Sequence, residues 1–152
     1  MKTIASFTVN HDTLTPGIYV SRIDGDITTY DLRTRIPNSG DFMDNRTMHS
    51  VEHMFATYIR NSAISDRVIY FGPMGCQTGF YLLFDSNQLS DADAVELVKE
   101  TFAAGAAFDG EMPGKSSVEC GNYINLDTEL AKIQCAAYSE IVQNWTAEKL
   151  AY

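Results

Sequence analysis

The chain is poor in cysteine, in proline and in positive charge, and each shortage excludes something. Its three cysteines, an odd number set far apart at Cys76, Cys120 and Cys135, make no disulfide framework; in a reducing compartment they suit metal or acid–base work. Eleven Lys and Arg residues against twenty Asp and Glu give a formal net charge of -9, and a surface of that sign repels phosphate backbones and anionic lipid. Nucleic-acid and membrane partners are disfavoured on that ground. No run approaches the ~20 apolar residues of a spanning helix. The N-terminal stretch "MKTIASFTVNHDTLTPG" carries polar residues throughout, as expected of a mature cytoplasmic protein. The four prolines form no Pro/Gly linker, and there is no repeat or charge block, so a single catalytic domain over residues 1–152 is expected.

What is present is an ordinary globular composition, 45% hydrophobic and 20% charged, long enough to bury roughly 70% of its unfolded surface. The segments "TIASFTV", "GIYVSRI" and "ITTYDLRTR" are rich in β-branched and aromatic residues and are separated by turn signals, which predicts three strands. "RVIYFG" and "GFYLLF" predict two more, joined by the loop "PMGCQT" that holds Cys76. Helical spacing appears near residues 45–62 (Val51, Met54, Phe55, Tyr58, Ile59) and after a candidate N-cap at Ser90. It appears again after Asp127, where Leu130, Ile133, Ala137 and Ile141 are expected to form the packed stripe and Cys135 to flank it as a small packing residue. The simplest arrangement is an α+β layer, helices packed over a mainly antiparallel sheet. A turn-rich loop, "DGEMPGKSSVEC", ends in Cys120.

The stretch "TMHSVEHMF" places His49 and His53 one helical turn apart with Glu52 between them. At about 100° per residue, Glu52 and His53 lie about -60° and +40° from His49, while the apolar set lies on nearly the opposite face. Two imidazoles so placed reach one metal ion, and the carboxylate beside them is positioned to move protons without ligating. The bland alternative is a pair of surface histidines with a solvated carboxylate; pair, carboxylate and shared face together favour a metal site on the helix. A third ligand comes from Cys76, Cys120, His11 or a carboxylate, and spacing alone does not choose between the two thiols. Two imidazoles and a thiolate suit zinc or ferrous iron with one position left open for chemistry.

Taken in order, "SFTVNH", "YDLRTRIPN", "HSVEH", "GPMGCQTGFYL" and "ECG" resemble the LuxS family, the S-ribosylhomocysteine lyases of autoinducer-2 synthesis. The resemblance covers essentially the whole chain. It implies an α+β fold with helices on one side of an antiparallel sheet, and a homodimer with its active sites at the subunit interface. It implies that His49, His53 and Cys120 bind one divalent metal per subunit, Fe2+ or Zn2+, and that Glu52 and Cys76 carry the protons. A thiol in a Gly-rich loop near a cationic centre is suited to proton exchange near neutral pH. Ser6, His11 and Arg33 match family positions that hold the substrate; read without the resemblance, His11 is a turn residue and Arg33 a solvated strand residue. The implied reaction cleaves S-ribosylhomocysteine to homocysteine and 4,5-dihydroxy-2,3-pentanedione, a step of quorum-sensing signal synthesis or of methyl-cycle recycling alone. Two positions depart from the family, Thr29 where a lysine is common and Tyr70 where an acidic residue is common.

Two other readings share the His-x-x-Glu-His motif. An inverted-zincin peptidase would take Glu129 as its third ligand. A noncatalytic metal module would close the coordination sphere with a fourth side chain.

Overall fold

Turn residues set the first hairpin. In the computed structural model, which describes Ile4 and residues 7–152, Gly17–Asp24 (β1) and Ile27–Arg33 (β2) pair antiparallel from Asp24↔Ile27 to Gly17↔Arg33. Gly25 in the turn has φ +60°, a conformation that costs glycine nothing and other residues strain. The expected strand over 3–9 does not form in its described part. Residues 7–9 run as a turn and bends, with Phe7 N–H donating to the Ile4 carbonyl at 3.0 Å. The edge such a strand would need is taken: groups from the C-terminal third meet β1 instead. Val20 N–H donates to the Leu150 carbonyl, the Trp145 indole to Ile18 and the Tyr138 hydroxyl to Gly17.

Val68–Pro73 (β3) and Gly79–Asp85 (β4) complete a four-stranded sheet of order β1-β2-β4-β3, antiparallel throughout. Phe80, Leu82 and Phe84 on β4 and Tyr30 and Leu32 on β2 point to one face and are buried there, the period-2 alternation of a half-covered sheet. Three helices cover that face, making an α+β fold. Asn45–Arg60 (α1) starts at Asp44, whose carboxylate accepts from Thr47 N–H at 2.7 Å, a cap worth about 1 kcal/mol. Its apolar side, Val51, Met54, Phe55 and Ile59, is buried as the spacing predicts, and Phe55 stacks on Phe71 with ring centroids 4.0 Å apart. Asp91–Ala106 (α2) begins with a reciprocal capping box between Ser90 and Asp93, and its Phe102 packs between Phe55 and Tyr138.

Thr128–Val142 (α3) is capped by Asp127 as expected, yet it turns a different face inward. Ala131, Gln134, Cys135, Tyr138 and Val142 are buried, whereas Ile133 is 65% exposed and Ile141 38%. Both stripes offer comparable apolar area, so burial alone, worth about 1.5–3 kcal/mol per large side chain, does not choose between them. The choice follows from fit. Tyr138 reaches the Gly17 carbonyl with its hydroxyl at 2.7 Å, and Gly105 on α2 leaves the room into which the Cys135 sulfur packs. Cys135 is thus the packing residue it was expected to be, at the centre of the buried face and not at its flank.

β2 is unusual in being buried on both faces. Away from the helices it carries Thr29, Asp31 and Arg33, which are 6%, 1% and 3% exposed. Burying two charges costs several kcal/mol unless they are paired, so this polar strip marks where the sheet is put to use. Among the described residues no helix is long and apolar enough to cross a membrane.

Candidate active site

The site residues fall into two groups. The first is built on α1. His49 and His53, one turn apart, present rings 4.7 Å apart and nearly perpendicular, and the loop before α3 brings Cys120 Sγ to 3.4 Å from His49 Nε2. The ligating atoms of His49, His53 and Cys120 all lie within 4.8 Å of one another, and among the described residues no other cluster of this kind occurs. Tetrahedral ligands at about 2.1 Å (N) and 2.3 Å (S) from one ion sit about 3.5 Å apart, so the His49 to Cys120 separation fits a metal. Glu129 is not in this group: it is exposed on α3 beside Lys132 at 3.6 Å, which removes the third ligand of the peptidase reading.

Neighbouring groups orient the ligands. His53 Nδ1–H donates to the Pro113 carbonyl at 2.9 Å, which leaves Nε2 free to ligate. Gly114, at φ +70°, lets that loop pass so close that a Cβ there would lie 2.9 Å from His53 Nδ1. Burial, followed by the neighbouring His53, lowers the His49 imidazole below its ordinary value while Glu52 pulls the other way; the result favours the neutral, metal-binding form. The Cys120 sulfur accepts from Asn122 N–H at 3.4 Å. Glu52 is half-buried on the same side of α1, where the helical angles place it.

The second group surrounds Cys76. A cavity of about 300 Å3 is lined by Cys76, Arg33, Asp31, His11, Tyr81 and Tyr152 among others, and none of His49, Glu52, His53 or Cys120 borders it. Cys76 is exposed and lies 3.0 Å from the Thr78 hydroxyl. Arg33 donates through Nη1 to Thr78 at 2.6 Å and lies 3.8 Å from the Cys76 sulfur; through Nη2 it donates to Asp31 at 2.5 Å. The Tyr152 hydroxyl donates to the same Asp31 oxygen at 2.9 Å. Burial pushes the Asp31 carboxyl up while Arg33 holds it back; Arg33, lowered by burial but raised by Asp31 and Cys76 together, ends above its ordinary value. Two donors on one carboxylate oxygen at these distances argue for an ionised pair. Arg33 is therefore not a solvated strand residue. Its charge is met by Asp31, and its free edge faces the thiol.

His11 lines the cavity with Nδ1 donating to the Val9 carbonyl at 3.0 Å, which turns Nε2 outward. Ser6 lies outside the described residues. Thr29 and Tyr70, the two departures, line an adjoining cavity of about 300 Å3 with Arg22, and Ser21 and Tyr81 border both spaces. The Thr29 hydroxyl is buried there with no hydrogen-bond partner among the described residues. Sequence reasoning missed Asp31, Thr78 and Tyr152. Of these only Asp31 left a signal: a carboxylate two residues before an arginine in a β-prone run shares its face of the strand.

The fold and the first group together define an α+β protein with a His-His-Cys group that could hold a metal ion. The sequence profile of S-ribosylhomocysteinase (LuxS) matches residues 4–149, and the chain belongs to that family. Relatives named S-ribosylhomocysteine lyase include those of Phocaeicola vulgatus (46% identical), Finegoldia magna (44%) and Clostridium acetobutylicum (43%). Each comparison covers 100% of this chain and 98 to 99% of the relative.

Proposed function

We propose that the protein is an S-ribosylhomocysteine lyase, a metal-dependent carbon–sulfur lyase that releases homocysteine and 4,5-dihydroxy-2,3-pentanedione. The observation that carries the reading is the three-ligand cluster of His49, His53 and Cys120 on a chain of this family, which leaves one coordination position for a sugar oxygen. The donor set of two imidazoles and one thiol suits Fe2+ or Zn2+. A bound ion supplies Lewis acidity, making the C–H beside a sugar carbonyl acidic.

The remaining chemistry belongs to side chains. Cys76 and Glu52 take protons from one sugar carbon and return them to the next, moving the carbonyl from C1 to C3. The thioether at C5 is then β to the carbonyl. Loss of the C4 proton breaks the C5–S bond, the electron pair leaves on sulfur, and protonation yields homocysteine. His11 and Arg33, joined by Ser6, hold the substrate against the Cys76 cavity.

The separation of this cavity from the metal ligands supports a composite site. One domain over residues 1–152 forms a homodimer, and Cys76 with His11 and Arg33 of one subunit faces Glu52 and the metal ligands of its partner. Charge and the absence of a spanning helix among the described residues accord with a cytoplasmic enzyme of the methyl cycle and of signal synthesis. The test is to mix reduced, metal-loaded protein with S-ribosylhomocysteine under anaerobic conditions and titrate free thiol. One equivalent of homocysteine per substrate is expected, with loss of release after chelation. No thiol release from the metal-loaded dimer would overturn the reading.

A further inference from the structure

His53 has an evident second partner in the Pro113 carbonyl; His49 has a less obvious one. The Asn125 amide, in the short helical turn Tyr123–Asn125 that follows Cys120, lies 3.3 Å from His49 Nδ1 through Nδ2 and 2.6 Å from Oδ1 of Asn45. Asn45 opens α1 one turn before His49. The same segment is fastened to α1 twice more. Arg46 donates to Asp127 at 3.2 Å, and Asp127 N–H donates to the buried Ser50 hydroxyl at 2.8 Å.

An Nδ2 donor facing Nδ1 makes that nitrogen an acceptor and puts the proton of a neutral imidazole on Nε2. Nε2 is the atom that faces Cys120, and a protonated Nε2 does not ligate. An amide turned by half a revolution keeps its outline and exchanges donor for acceptor. Turned over together, the two amides still satisfy each other: Asn45 Nδ2 donates to Asn125 Oδ1. That oxygen then accepts from a His49 Nδ1–H. We propose that the Asn45–Asn125 amide pair is a positioning device for His49, fixing the Nδ1–H tautomer and aiming Nε2 at the ion shared with His53 and Cys120. It also ties the cysteine-bearing segment to the histidine-bearing helix, so both ligand sources keep one register.

This inference rests on the metal reading of the site, and the experiment separates the two. Metal-free wild type, Asn125→Ala and Asn125→Asp are titrated with Zn2+ against a chromophoric chelator, and the thermal midpoint of each metal-free protein is recorded. Wild type is expected to bind one Zn2+ per chain. Asn125→Ala should bind about 10- to 100-fold more weakly, the usual cost of losing a metal ligand's outer partner. Asn125→Asp, which still accepts from Nδ1–H, should recover most of that affinity. In Zn2+-loaded protein the slowly exchanging Nδ1–H resonance of His49 should disappear in Asn125→Ala while that of His53 persists. If wild type binds no Zn2+, the metal reading falls and this inference with it. If wild type binds and Asn125→Ala binds equally well, the inference alone fails. It fails too if both variants lose affinity in step with a lowered midpoint of the metal-free protein, since the pair would then be merely structural.

Discussion

Cys120→Ala is expected to purify with less than a tenth of an equivalent of metal and to show no measurable homocysteine release. The cluster has three ligands and no spare among the described residues, so removal of the thiol leaves two imidazoles of one helix turn. Loss of an outer-sphere partner alone costs about 10- to 100-fold in affinity, and loss of a ligand should exceed that. The fold should persist, because Cys120 only borders the hydrophobic core. Metal analysis together with circular dichroism checks both halves. Full metal content in Cys120→Ala would reverse the assignment of the two thiols.

Cys76→Ala should do the opposite: keep one metal per chain and lose turnover. General acid–base groups contribute about 10²- to 10⁴-fold, or about 3–5 kcal/mol of barrier, and Cys76 would act at more than one proton transfer. The two inactive variants together test the composite site. Co-expressed and freely paired, half of the dimers contain one chain of each kind. In such a dimer one site carries both substitutions and the other carries neither, so about a quarter of wild-type activity should return. A site confined to one chain would return none. That outcome would overturn the reading of the two separate residue groups as halves contributed by different subunits.

The helical half of the candidate metal site was legible from the sequence because the information is local. His49, Glu52 and His53 needed only the helical repeat, and the apolar residues of α1 fixed which way the helix would roll. Cys120 is 67 residues beyond His53 and is brought in by a loop whose path depends on Gly114 and on contacts along α1 that no periodicity announces. The resemblance to a family, not the spacing, separated Cys120 from Cys76. α3 misled for a related reason. Its sequence offers two apolar stripes one position apart, and the winner was set by a tyrosine reaching across to β1 and by a glycine on a neighbouring helix. The N-terminal segment reads as a strand by composition, but the edge it would join is occupied by residues from the far end of the chain. Arg33 shows the limit of reading charges singly, since its partner is two positions away on the same strand and both are sealed from solvent.

The three thiols now stand in very different surroundings. Cys76 is open to solvent and Cys120 partly so, while Cys135 is 1% exposed and burial pushes its thiol up to about 12. Alkylating reagents, which attack the thiolate, should therefore consume two equivalents per native chain and spare the third until the helices separate. A rise from two to three modified sulfurs becomes an internal gauge of unfolding, and protection of one of the first two by zinc reports occupancy of the metal centre in the same tube.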